Sequence, residues 1–143
     1  MFIGQYALKL DRRYRFKLPA PFAESLKLEA TEPRSMIFVQ AEAIRVYSSR
    51  GFEDLVKVLS SQPDDAKARA TLRIVMSRSE RISFGLSRTV QMPWQFIEYY
   101  GLTGGHEIIL LGCNDYFEIW DRELWKKREE GEDVELPELD GGG

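Results

Sequence analysis

The sequence predicts a mainly β protein with short helices, an α+β fold, built from two pseudo-symmetric halves. Three observations lead to this prediction. Residues 13–18 alternate basic and apolar side chains with the period of two that is typical of a strand. Short apolar runs occur in pairs joined by a few other residues, as in β-hairpins. The same order of residue classes then recurs 73 or 74 positions later in the chain.

The first strand is predicted from the stretch at residues 8–19. Its alternating residues are Arg13, Tyr14, Arg15, Phe16, Lys17 and Leu18. Successive side chains of a strand point to opposite faces, so we expect the three cations on one face and the three apolar groups against the core. A basic face of this kind suits a polyanion. A half-buried strand with a solvated basic face would give the same pattern.

Internal repetition organises the chain. The matched positions are Pro19 and Phe22 with Pro93 and Phe96 at an offset of 74, then 36–39 with 109–112, 45–48 with 118–121 and Phe52 with Trp125 at an offset of 73. The order of these matches favours a diverged duplication. We expect a first repeat at 1–50, a helical connector at 51–78, a second repeat at 79–122, and a short helix with a mobile acidic tail at 123–143.

Each repeat is predicted to contain the same elements in the same order. A strand leads to Pro19 or Pro93, and proline suits the first turn of a short helix. A hairpin follows, formed by 36–39 with 44–47 in the first half and by 107–111 with 117–120 in the second. In the second repeat, Gly101 is expected to end the short helix, and the pair Gly104-Gly105 is expected to form a flexible loop before the hairpin.

The connector is predicted to be helical. Phe52, Leu55, Val56 and Leu59 lie at i, i+3, i+4 and i+7, the spacing of an amphipathic helix. The acidic pair Asp64-Asp65 is interpreted as the start of a second helix rather than as a catalytic dyad.

Charge is distributed unevenly along the chain. The net charge is −3, but residues 129–140 hold seven acidic residues and no basic one, and the rest of the chain has 20 basic against 16 acidic residues. This tail either is simply solvated or competes with a polyanion for the basic face, in which case its deletion tightens binding most at low salt.

Composition predicts a soluble cytoplasmic protein. The single cysteine, Cys113, excludes an intramolecular disulfide, fits a reducing compartment and is expected to be a buried structural thiol. No run approaches the ~20 apolar residues of a membrane span, and the N-terminus lacks the pattern of a signal peptide.

At this point the residues resemble the MraZ family of bacterial transcriptional regulators, which have two tandem SpoVT-AbrB-type repeats. The similarity extends over about residues 1–128 and is carried by the sequences at 1–6, 10–11, 13–15, 18–19, 99–102 and 117–121. The resemblance implies an AbrB-like swapped-hairpin barrel formed by both repeats. It also implies nucleoid-associated, ring-like homo-oligomers that bind double-stranded DNA at short promoter repeats upstream of the division and cell-wall gene cluster.

The family motif is an Asp, two residues, a Gly and an Arg, usually with a Lys before the Gly. In the first copy Asp11 and Arg15 match, Arg13 takes the Lys position and Tyr14 replaces the Gly. If that position needs a positive φ, Tyr14 implies strain or a changed turn.

The second copy of the motif departs further. Counting back from Pro93 puts Gly85 at the Asp position and Thr89 at the Arg position, while Arg88 is displaced by one residue. A local shift would be needed to bring Arg88 into the role of the motif arginine, so we expect the first repeat to be the principal DNA contact.

The basic residues suggest a division of roles at DNA. Arg13 and Arg15 are expected to contact bases, because arginine reads guanine bidentately in the major groove. Arg12 and Lys17 are expected to contact phosphates, which supply affinity without sequence information. Asp11 would orient an arginine, since a bare carboxylate is repelled by phosphate.

An enzyme is the weaker alternative, and we expect no catalysis, cofactor, metal, membrane or small-molecule substrate. The only histidine, His106, is expected to be a solvated loop residue without a triad or metal motif. Trp94, Trp120 and Trp125 are interpreted as core or interface anchors. A second alternative is an AbrB-fold protein-binding or antitoxin-like module without a specific DNA target. Salt dependence of binding separates that module from a DNA-binding protein.

Overall fold

The structure, a computed structural model, describes residues 1–28 and 34–137. The strands in these ranges are β1 (Gln5–Lys9), β2 (Arg15–Lys17), β3 (Ser35–Val39), β4 (Ile44–Tyr47), β5 (Glu80–Ser83), β6 (Thr89–Gln91), β7 (Glu107–Gly112) and β8 (Tyr116–Asp121). The helices are α1 (Ala20–Leu28), α2 (Ser49–Ser60), α3 (Ala66–Ser77), α4 (Trp94–Tyr100) and α5 (Arg122–Glu130). The α+β prediction is confirmed.

The described strands form two antiparallel sheets. One has six strands in the order β1-β7-β8-β4-β3-β5, and the other is the two-stranded ribbon β2-β6. Both predicted hairpins are present, as the pairs β3–β4 and β7–β8. Neither sheet closes on itself, so the closed form of the expected barrel is not confirmed.

Strands from the two halves of the chain are interleaved. The N-terminal strand β1 pairs with β7, and β5 pairs with β3, so each strand lies beside a hairpin from the other half. The strands β4 and β8 meet at the centre of the large sheet. When elements are matched at the offsets of 73 and 74, the strand order reads the same from either edge.

The main core lies on one face of the large sheet, and aromatic rings from distant segments meet in it. The rings of Phe2 and Phe22 are 5.4 Å apart, and Phe117 lies 5.2 Å from Phe2 and 4.7 Å from Phe22. The N-terminal segment reaches this core by crossing Gly112, where an added Cβ would meet the backbone of Phe2 and Ile3 at 2.6 Å. Only glycine permits that approach.

The other face of the large sheet packs against helices. Ile37, Val39 and Tyr47 pack on side chains of α2 and α3, and Trp120 packs on Trp125 of α5 at 5.3 Å. The predicted start of α3 is confirmed, since the Asp65 carboxylate accepts from Ala68 N–H. The Ser48 hydroxyl caps α2 by accepting from Gly51 N–H. The only buried residue of α2 is Ser49, and α3 has none.

Two tertiary details refine the predictions for single residues. Trp94 is exposed, unlike the buried Trp120. Cys113 is only half-buried, and desolvation raises the pKa of its thiol to about 11, so it is a poor nucleophile near neutral pH. In the ranges that the structure covers, no helix combines the length and the apolar character needed to span a bilayer.

Candidate nucleic-acid interface

The predicted strand at 13–18 is wrong at its beginning, where the chain instead forms a tight turn. The carboxylate of Asp11 accepts hydrogen bonds from the N–H groups of Arg13 at 2.8 Å and Arg15 at 2.9 Å. The same carboxylate accepts from Nε of Arg15 at 2.9 Å. These hydrogen bonds hold the pKa of Asp11 below its usual value, and the bond from the Arg15 N–H has the largest effect. We call residues 11–15 the basic turn.

Tyr14 holds the left-handed conformation in the basic turn. Its φ is 61°, a region that costs a residue with a Cβ about 1–2 kcal/mol. Its N–H donates to the carbonyl of Asp11 at 3.0 Å, and its half-buried ring packs against the main core. The position to which the resemblance assigns a glycine therefore does use a positive φ, and the tyrosine that occupies it packs its ring against the main core.

The cations of the basic turn remain accessible. Arg12, Arg13 and Lys17 are exposed, and within the described residues they have no ion-pair partner. The side chain of Arg15 is 42% exposed although its Nε is bound to Asp11. A positive surface is therefore open at this end of the molecule.

The loop at 103–106 supports the basic turn from behind. Leu10 N–H donates to the carbonyl of His106 and Gly105 N–H donates to the carbonyl of Leu10, both at 2.9 Å. A Cβ on Gly104 would lie 3.3 Å from Cα of Arg12. The sequence predicts only a flexible loop here, because its contact with the basic turn joins residues about 90 positions apart.

The expectation that His106 is a solvated loop residue is wrong. Its side chain is only 20% exposed, and its Nε2 bonds to the carboxylate of Asp121. That carboxylate also caps α5 by accepting from Leu124 N–H at 2.8 Å. Burial raises the pKa of Asp121, but the hydrogen bonds from Leu124 and His106 outweigh it and the net pKa is lowered. The pair thus ties the supporting loop to α5.

The second copy of the motif forms a turn at residues 85–89, which we call the neutral turn because Gly85, Leu86 and Ser87 at its tip are uncharged. Arg88 has φ 62°, and its N–H donates to the carbonyl of Gly85 at 3.0 Å. Arg88 therefore occupies the position equivalent to Tyr14, without the local shift that would make it the motif arginine. Its half-buried side chain donates from Nε to the carbonyl of Leu18 at 3.0 Å.

The ribbon β2-β6 connects the two turns. Its residue pairs are Arg15 with Gln91, Phe16 with Val90, and Lys17 with Thr89. Phe16 and Val90 are buried in the core, so the side chains on either side of them along each strand point outward. The outer face of the ribbon is formed by Arg15, Lys17, Thr89 and Gln91.

Gln91 is a site residue that the sequence did not reveal. Its Nε2 donates to the carbonyl of Arg13 at 2.7 Å, so a residue of the second half holds the basic turn of the first half. The two residues are 78 positions apart, and no local pattern marks the contact. Elsewhere in the described part of the chain, no group of three His, Cys, Asp or Glu side chains is placed to hold a metal ion.

Comparison with known proteins gives consistent relatives, although no family model matches the chain. A protein of Leifsonia xyli subsp. xyli named "Transcriptional regulator MraZ" is 32% identical over 127 residues, 88% of this chain and 85% of the relative. A protein of Mycobacterium ulcerans with the same name is 31% identical over 126 residues, 87% of this chain and 84% of the relative. A third, from Mycobacterium tuberculosis, is 29% identical over 127 residues, 88% and 85% of the two chains.

Proposed function

Because this chain belongs to the MraZ family of transcriptional regulators, we propose that it binds double-stranded DNA sequence-specifically through the basic turn and the ribbon. The observation that carries the proposal is the open cationic surface formed by Arg12, Arg13 and Arg15. We further propose that its targets are repeated promoter elements of the division and cell-wall gene cluster, and that it acts in the cytoplasm at the nucleoid.

The basic turn suits the major groove in shape and in charge. A two-stranded ribbon fits that groove, as in other proteins that read DNA with a sheet. Since Asp11 binds Nε of Arg15, the terminal nitrogens of Arg15 are available for a guanine. Arg13 is the second base-reading candidate, and Arg12 and Lys17 contact phosphates.

Arg88 has a more limited role in this proposal. Its Nε is already bound to the carbonyl of Leu18, so only its terminal nitrogens are available to a phosphate. We assign it mainly to the support of the neutral turn.

We also propose that the two halves are SpoVT-AbrB-type repeats that exchange strands in one swapped-hairpin core, with domain limits at 1–50 and 79–122. The interleaved order of the large sheet supports this assignment. The segment 51–78 then connects the repeats, and 123–143 forms the C-terminal helix and tail. Residues 131–137 of that tail are exposed, and residues 138–143 lie outside the described residues.

A ring-like homo-oligomer is part of the proposal, because one basic turn makes few phosphate contacts and repeated turns gain affinity from effective concentration. Apolar side chains available for self-association lie on α2 and α3. Val58 is 59% exposed, Ile74 47% and Met76 45%. Exposed apolar groups that lie close together on a surface are typical of subunit contacts.

The test is a binding assay with double-stranded DNA from upstream of the protein's own gene. Arg15→Ala is expected to lose most of the affinity, because it removes a base contact in every subunit. Lys126→Ala is the matched control, since it removes one exposed positive charge from α5. Circular dichroism checks that both variants remain folded.

Two results would contradict the proposal. Equal binding by the wild type and Arg15→Ala would remove Arg15 from the site. For DNA binding, log Kobs should also fall linearly with log salt, with a slope of about −0.9 per phosphate neutralised. Binding to a protein partner without DNA, and no such salt dependence, would favour the protein-binding alternative.

A further inference from the structure

We infer that the neutral turn recognises thymine methyl groups, so that each subunit reads an asymmetric DNA element with a charged contact at one end and an apolar contact at the other. This inference rests on the proposed DNA-binding function. It concerns the neutral turn alone, which carries none of the motif side chains of the basic turn.

The two turns have the same backbone shape. The left-handed residues Tyr14 and Arg88 have φ 61° and 62°. Each donates its N–H to the carbonyl three residues earlier, at 3.0 Å in both turns. The carbonyls of Tyr14 and Arg88 themselves accept from the opposite strand, from Met92 N–H at 2.9 Å and from Leu18 N–H at 2.8 Å respectively. The neutral turn is therefore a second copy of the same scaffold.

Both turns face the same side of the ribbon. Phe16 and Val90 are paired with each other and are themselves related by the offset of 74. The local two-fold axis of this antiparallel pair passes between them and is perpendicular to the ribbon. Rotation about such an axis exchanges the turns and keeps both on the outer side. A DNA groove that receives the ribbon therefore meets both turns.

The side chains at the neutral turn differ in chemistry from those at the basic turn. Leu86 stands where the basic turn has Arg12, and Thr89 stands where it has Arg15. Leu86 is 80% exposed at the tip of the turn, and Thr89 is exposed on the ribbon. An exposed leucine cannot bind a phosphate. In the major groove the apolar feature of a base pair is the C5 methyl group of thymine, which apolar side chains contact.

At the end of the ribbon that carries the neutral turn, few charged groups surround Leu86, so an apolar contact can contribute to DNA recognition. Arg88 turns towards the ribbon through its bond to the carbonyl of Leu18. Gly85 supplies no carboxylate to repel DNA, and the Ser87 hydroxyl donates to that of Thr89 at 3.2 Å. Lys17 is the one cation on the outer strand face beside Thr89. The neutral turn thus offers an apolar tip, with the terminal nitrogens of Arg88 and the ammonium of Lys17 as the cationic groups behind it.

The test uses the full chain and a duplex that it selects from a random-sequence library. Each thymidine of the selected duplex is replaced in turn by deoxyuridine, which keeps the base pairing and lacks the methyl group. Binding is measured by fluorescence anisotropy for the wild type and for Leu86→Ala. Leu136→Ala is the control, because Leu136 is 85% exposed in the C-terminal tail.

We expect the wild type to lose affinity roughly fourfold at one or more thymidines, the factor that burial of one methyl group gives. On the thymidine duplex, Leu86→Ala should bind more weakly than the wild type by about this factor. Replacement of the same thymidine by deoxyuridine should cause no further loss of affinity in that variant. Leu136→Ala should behave like the wild type. A wild type insensitive to every replacement, or a Leu86→Ala variant as sensitive as the wild type, would overturn the inference.

A parallel measurement on Arg15→Ala distinguishes this failure from failure of the proposed function. If Arg15→Ala loses affinity on every duplex while Leu86→Ala keeps the wild-type sensitivity, only the inference about the neutral turn is wrong. If the library yields no preferred duplex, or if Arg15→Ala binds as well as the wild type, the proposed function fails and the inference fails with it.

Discussion

The basic turn and the neutral turn share a backbone and differ in their side chains. In the basic turn a carboxylate caps two N–H groups and pairs with Arg15, whereas Gly85 provides no such group. The neutral turn nevertheless has the same φ at its left-handed residue. The hydrogen bonds between the turns and the opposite strand are therefore enough to set the shape. The neutral turn therefore keeps the backbone shape of the basic turn without its motif side chains.

The largest effect on stability is expected from substitutions on the buried face of the ribbon, which anchors both the basic turn and the neutral turn. Phe16→Ala should destabilise the protein by about 3–5 kcal/mol, because Phe16 is 4% exposed and the truncation leaves a cavity. Val90→Ala should destabilise it less, since fewer buried atoms are removed. Urea unfolding followed by circular dichroism measures both. A change below about 1 kcal/mol for Phe16→Ala would mean that the ribbon is not anchored through this ring.

A gain of function is expected when the neutral turn receives the motif residues. Gly85→Asp with Thr89→Arg should restore the capping carboxylate and the outward arginine, because no atom lies within 4 Å of a Cβ built on Gly85. DNA affinity should rise about tenfold at low salt, and the salt slope should steepen by about 0.9 per added phosphate contact. The double variant is compared with the wild type in a salt titration.

The control for this gain is Thr89→Arg alone, which adds the charge without its orienting carboxylate. We expect a smaller increase in affinity from it. An unchanged salt slope in the double variant would show that the neutral turn does not approach DNA, and the two ends of the ribbon would then differ in position as well as in charge.

The smallest effect concerns the left-handed residues. Glycine relieves the positive φ at either position by about 1 kcal/mol. Tyr14→Gly also removes a half-buried ring from the core, and Arg88→Gly removes only the hydrogen bond to Leu18. Tyr14→Gly should therefore be less stable than Arg88→Gly by about 1 kcal/mol in urea unfolding. The reverse order would mean that the Arg88 hydrogen bond dominates over packing of the tyrosine ring.

Much of the fold could be predicted from local patterns. Both hairpins, the start of α3 and the end of α4 at Gly101 depend on side chains within a few positions of each other, and the structure confirms them. The strand prediction failed at the start of residues 13–18, where the same local pattern fits either a strand or a turn. Residues 13–18 alternate like a strand, but Tyr14 takes a positive φ, its N–H bonds back to the carbonyl of Asp11, and its carbonyl bonds to Met92 of the other half, so the first part is a turn.

The sequence predicted which basic residues form the candidate site, but it did not predict the contacts that hold them in place. The basic residues at 12–17 are recognisable from their charge alone. Gln91 with Arg13 and Gly104 with Arg12 are contacts between residues 78 or more positions apart, and no spacing indicates them. The bond of His106 to Asp121 joins two elements 15 positions apart, and no local motif marks it. The sequence marks groups that can bind a polyanion, because charge is a property of each residue.

The amino-acid sequence by itself determined the family, the hairpins, the amphipathic connector and the cations of the basic turn, since each of these follows from residue type or from short periodic spacing. Tertiary structure decided how strands from the two halves are interleaved, that both turns lie on one ribbon, and which residues support the basic turn. The physical reason is that these features depend on hydrogen bonds and close packing between segments 70 or more residues apart.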